Sequence, residues 1–138
     1  MRIQPAQEES AVRVIVVVLL LLAAHFSLTP FAPAPAGRAT FYWPFATDSR
    51  PILAGSGILT PLFAGLAGLC LVAAVAALFG VVAPAGWWRP LVGIGAVASL
   101  ALNVLYLSPH AVLPILIDVA LLAGLIVQRW TVSGLRGG

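Results

Sequence analysis

In 138 residues the chain carries 62% hydrophobic residues, 8% charged residues and a mean hydropathy of +1.09, which leaves too little polar surface to cover a soluble globule. The composition therefore points to an all-α polytopic membrane protein. All seven basic residues are arginines, the net charge is +3, and no run of them is long enough to follow a phosphate backbone, so nucleic-acid binding is not expected despite a pI near 10.0.

A hydrocarbon core of about 30 Å needs about 20 residues of helix, and by that measure four apolar runs qualify, at about 12–29, 58–83, 90–107 and 110–128. Residues 1–13 are polar, with Glu8 and Glu9 offsetting two arginines, and Ser10 is a candidate cap for the helix that follows. The run VIVVVLLLLAAHFSL is read as a retained first span. A cleaved signal peptide is the rival, since small residues near Ala34 and Ala36 resemble a processing site.

Residues 30–57 form the longest segment without helical character, rich in Pro, Gly and Ala, with Phe41, Tyr42, Trp43 and Phe45 clustered in it. Aromatic rings with a polar edge favour the headgroup level, so Tyr42 and Trp43 are expected at the membrane surface, as are Trp87, Trp88 and Trp130. A lid over the bundle is the functional alternative for this loop.

The second run, ILTPLFAGLAGLCLVAAVAALFGVV, places Ala64 with Gly68 and Ala73 with Ala77 at four-residue spacing, which lets another backbone approach closely. The lone Cys70 within it has no intrachain disulfide partner and reads as a small hydrophobe. A short turn, APAGWWRP, then leads into the third run, where Pro90 suits a first helical turn. Ser108 and Pro109 reverse the chain into the fourth run as an N-cap and first-turn pair, and the tail TVSGLRGG is too short and polar to form a domain.

With a cytoplasmic N-terminus, Arg2, Arg13, Arg89, Arg129 and Arg136 lie inside and only Arg38 and Arg50 outside, so the distribution of positive charge selects an N-in, C-in topology, fitting a bacterial inner membrane.

The polar residues within the runs then fall in the outer half of the bilayer. Asn103 lies about 7–8 Å below the outer turn, Asp118 about 12–15 Å below it, and His25 at a depth like that of Asn103. Ala96, Ser99, Asn103, Tyr106 and His110 recur at steps of three and four, so they share one face that should turn inward rather than toward lipid.

A carboxylate at the bilayer centre costs at least about 2.5–3.5 kcal/mol, and no Lys or Arg lies in any run to pair with Asp118. Asp118 is therefore expected to be a neutral acid or to be held by hydrogen bonds from Asn103, Ser99, Tyr106 or His25. Two roles follow: a fastener between helices, or a ligand or proton site built from His25, Ser99, Asn103, Tyr106 and Asp118. Ala120 and Gly124 lie round the fourth helix from Asp118 and present a small-residue face to another helix or a neighbouring chain.

No set of residues converges to bind a metal, because His110 and Asp118 are separated by about 12 Å along one helix. No phosphate-binding glycine loop, nucleophile–base pair or CxxC motif is legible either, so neither an enzyme nor a cofactor is expected.

The four-run layout and the second-run sequence PLFAGLAGLCLVAAVAALFG resemble the DoxX-like family of four-helix bacterial membrane proteins over the last two thirds of the chain. The chain departs from that family in lacking an acidic residue near the start of the second run and in its longer outer loop. The resemblance implies a link to quinol-oxidising assemblies and transfers no catalytic residue. The expected function is an accessory or structural subunit of a larger membrane complex, of the electron-transfer kind, embedded in lipid and contacting other subunits or a second copy of itself. The alternative is a protein that binds or moves a lipid, quinone or other small amphiphile.

Overall fold

The computed structural model describes residues 5–28, 58–105 and 111–135, and all regular structure among them is helical. The helices are α1 (Pro5–Leu28), α2 (Leu59–Leu78), α3 (Trp88–Leu105), α4 (Val112–Ile126) and the single turn α5 (Val132–Leu135), with a 3-10 turn at Ala85–Trp87 leading into α3. Segments Gln7–Leu28, Leu59–Leu78 and Ala85–Leu105 are long and apolar enough to cross a membrane, and Val112–Ile126 is a shorter apolar helix.

Each helix buries the residues that recur at three and four. On α3 these are Trp88, Val92, Gly95, Ala96, Ser99, Leu102 and Asn103; on α4 they are Pro114, Ile117, Asp118, Leu121 and Gly124. The opposite faces expose Leu62, Leu66 and Leu69 on α2, Ile94 and Val97 on α3, and Leu113 and Leu116 on α4. In water such continuous apolar exposure would drive aggregation, whereas against acyl chains it is the expected outside of a bundle.

The packing is tightest where side chains are smallest. A Cβ added to Gly95 would lie 2.8 Å from Leu71 Cγ and 3.2 Å from Cys70 Cβ, so α2 and α3 touch almost backbone to side chain there. Gly68 receives the side chain of Leu28 from α1 in the same way. Ala64 packs with Leu102 and Leu105 in a small apolar cluster of its own.

Helix limits differ from the hydropathy reading in informative ways. The first helix begins at Pro5, so Ser10 is an interior position, not a cap. The second stops at Leu78, earlier than hydropathy indicates, because Gly80 adopts φ 75° and closes the end: Val81 N–H donates to Ala76 O at 2.8 Å and Gly80 N–H to Ala77 O at 3.1 Å. Apolar composition had masked this backbone stop signal. The tail also gains structure, because Thr131 Oγ1 accepts from Gly134 N–H at 3.1 Å and nucleates α5, whose Val132 and Leu135 are buried.

At the same end of the bundle Trp88 is fully buried in the main apolar cluster with Val92, Leu125 and Val132. The helix start turns Trp88 inward while Trp87 remains 63% exposed. Trp130 is half-buried and is laid back over Gly124 by the left-handed turn at Arg129 (φ 50°), with the backbone N–H of Trp130 donating to Gly124 O at 3.1 Å. Gly124 is thus covered by its own chain, and Ala120 is exposed, so the two do not form one open face toward a neighbour. Arg89 Nη2 donates to Leu125 O at 2.6 Å, which satisfies a terminal carbonyl of α4 and complements its dipole.

Candidate functional site

Between the large apolar cluster of α1, α2, α3 and α4 and the small one at Ala64, Leu102 and Leu105 lies a polar contact joining α3 to α4. Ser99 and Asn103 are one turn apart on α3, so their side chains stack on one face, opposite Asp118 near the middle of α4. Ser99 Oγ–H donates to Asp118 Oδ2 at 2.7 Å, and Asn103 Nδ2–H donates to the same oxygen at 3.1 Å. The Asn103 amide also approaches Ser99 Oγ at 3.4 Å. All three residues are at most 1% exposed.

The geometry divides the carboxyl group into two unlike halves. Oδ2 accepts two hydrogen bonds, whereas Asp118 Oδ1, like Asn103 Oδ1, is buried with no hydrogen-bond partner among the described residues. Each such atom forfeits the solvation it would have in water, and unpaired buried acceptors are uncommon enough to mark a site. Chemically, the cluster presents lone pairs in excess of donors, and it therefore suits a donor or a cation rather than an anion.

Not all of the residues expected at this site meet. His25 is exposed on α1, edge-on to the neighbouring Phe26 ring at 5.7 Å between centroids, and forms no part of the Ser99–Asn103–Asp118 hydrogen bonds. Its depth along the helix was readable but its angle was not: the inward stripe of α1 runs Val16, Leu20, Ala23, Ala24 and Ser27, and residue 25 falls outside it. Tyr106 and His110, and Tyr42 and Trp43 of the loop, lie outside the described residues. Among the described residues no group of three or more His, Cys, Asp or Glu is placed to hold a metal ion.

Three grooves among the described residues lie elsewhere. Two apolar grooves of about 330 and 610 Å³ run along the α2–α3 periphery and share Phe63, Val97 and Ala101. A third of about 370 Å³, at the other end of the bundle, brings Glu8, Glu9 and Val12 of α1 against Gln128, Arg129, Trp130, Thr131 and α5; sequence reasoning missed it because α5 is too short to leave a periodic pattern. None of the three is lined by Ser99, Asn103 or Asp118.

The hydrogen bonds give a measurable coupling between helices. A double-mutant cycle on Ser99→Ala and Asp118→Ala, read by denaturant unfolding in detergent, is expected to return about 0.6 kcal/mol and no more than about 1.7 kcal/mol, the range for such bonds inside membranes. A coupling of zero would mean that the contact does not fasten α3 to α4.

No protein-family model matches the chain, and neither does any curated protein or solved structure.

Proposed function

We propose that the chain is a four-span membrane bundle, N-in and C-in, that serves as an accessory or structural subunit by seating a transmembrane helix of a larger complex against the α2–α3 periphery. The observation that carries this reading is the pair of adjoining grooves on that face. Their shared floor includes Ala101, and Gly93 and Ala98 line the smaller one, so a partner backbone can come close while Phe63, Ile94 and Val97 pack around it. In lipid, where apolar surface alone gives little drive to associate, small residues of this kind are what permit tight van der Waals contact. The enclosed polar cluster supports the same reading, since hydrogen bonds hidden between two helices hold the scaffold in one arrangement. The DoxX-like resemblance of the second helix is the sole support for placing the complex in quinol-linked electron transfer, and the charge distribution of the arginines supports a bacterial inner membrane.

Filling the groove tests the proposal. Ala101→Phe is expected to leave the helical spectrum and melting of the purified protein unchanged while reducing recovery of cross-linked partner subunits by about tenfold, as expected for a loss of about 1.4 kcal/mol. Wild-type protein extracted in mild detergent that runs as a lone monomer after cross-linking in the membrane would defeat the subunit reading.

The unpartnered oxygens of Asp118 and Asn103 favour a second reading, in which a quinone, lipid or other amphiphile donates a hydrogen bond to them. Solvent extraction of the same preparation separates the two. A stoichiometric small molecule that disappears in Asp118→Asn supports the second reading, and an extract containing only bulk lipid removes it.

A further inference from the structure

The groove between α1 and α5 has the wrong chemistry for a helix-docking face and the right chemistry for a headgroup. One wall carries Glu8 and Glu9, both exposed; the other carries Arg129 with Gln128 and Thr131; and Val12, Trp130 and Leu135 make its apolar part. No ion pair joins the two walls among the described residues. We propose that this groove binds the headgroup of an ethanolamine phospholipid, with the ammonium at Glu8 and Glu9, the phosphate at Arg129, and the acyl chains leaving along Val12 and the exposed side chains of α1.

Three features select that class. The groove lies where the apolar part of α1 gives way to its polar first turns, and beside a tryptophan, which is the level of headgroups in the bundle proposed above. Its charges are of both signs and sit on opposite walls, so a ligand with one cationic and one anionic group matches them, whereas the two glutamates repel a purely anionic glycerol headgroup. A primary ammonium has three N–H donors for the carboxylates, and a choline headgroup has none. Choline would have to use the face of Trp130, whose six-membered ring is laid against Gly124.

The left-handed backbone of Arg129 belongs to the same argument. A non-glycine residue at φ 50° is held there at a cost of about 1–3 kcal/mol, and here that conformation goes with both Arg129 and Trp130 lining the groove.

The test uses the full chain in detergent, with equal amounts of ethanolamine, choline and glycerol phospholipids of identical acyl chains added and the bound lipid read by native mass spectrometry. Because exposed ion pairs are individually weak, the three charges together are expected to favour the ethanolamine lipid by about three- to tenfold. That preference should vanish in Glu8→Gln/Glu9→Gln and fall in Arg129→Asn, a substitution that tolerates the same left-handed backbone. Equal retention of choline lipid, preference for the glycerol lipid, or unchanged selectivity in both variants would overturn the proposal. Displacement of the lipid by free phosphoethanolamine at equal concentration would show that the acyl chains play no part and would likewise overturn it. Flotation with liposomes keeps the outcomes separate: a chain that does not float refutes the membrane bundle itself, whereas one that floats without selectivity refutes only the headgroup site.

Discussion

Replacing Trp88 by alanine is expected to destabilise the protein by about 3–5 kcal/mol, the largest effect anticipated for any single substitution here. Trp88 is completely buried where α3 begins, packed in the main apolar cluster with Val92 and Leu125 and with Val132 of α5. Removing its indole opens a void at a point where helices from three parts of the chain converge, and neither α3 nor α4 can collapse into it while Arg89 holds Leu125 O. The adjacent Trp87 is mostly exposed, so Trp87→Ala should stay within about 0.5 kcal/mol of the parent. Circular dichroism during denaturant unfolding in detergent measures both. Similar losses in the two variants would mean that the burial described for residue 88 is wrong.

The second large effect contrasts two glycines on one helix. At Gly95 a new Cβ would sit 2.8 Å from Leu71 Cγ and 3.2 Å from Cys70 Cβ, and Leu71 is fully buried, so it has no space into which to retreat. Gly95→Leu must push α2 from α3, at a cost of about 1–3 kcal/mol or more, and Gly95→Ala should already be destabilising. Two residues earlier, a Cβ at Gly93 would meet only Leu125 Cδ1 at 3.8 Å, an ordinary contact. Gly93→Ala should therefore gain up to about 1 kcal/mol from helix propensity. The same unfolding assay reads all three, and a destabilised Gly93→Ala beside a tolerated Gly95→Leu would reverse the assigned faces of α3.

The sequence carried the helical architecture because its runs are long and uniform, and it carried the Ser99–Asn103–Asp118 alignment because polar residues at three- and four-residue steps stand out against leucine and valine. It did not carry angles where that contrast was missing. His25 sits in a helix apolar on every side, so its depth was legible but its outward direction was not. Trp87 and Trp88 are chemically identical neighbours about 100° apart round a helix, and nothing in their identity says which one turns inward. What covers Gly124 was not legible for a different reason. Its cover is Trp130, brought back by a positive φ at Arg129 that no composition rule anticipates for arginine. The α1–α5 groove was invisible on the same grounds, since a four-residue helix has no period to detect.

The off-centre placement of Asp118 between two donors on α3 has a consequence for how the bundle finds its final arrangement. Helices in lipid slide past one another with little penalty, because leucine against leucine is scarcely better than leucine against an acyl chain. A one-turn slip of α4, about 5.4 Å, is close to the spacing between Ser99 and Asn103 along α3, so in either direction it would leave the carboxyl group with at most one of its two donors. In the bundle proposed above, one of the translational settings that grease alone would allow gives Asp118 both of its donors, so a single acid would act as a detent that stops the fourth helix at that height.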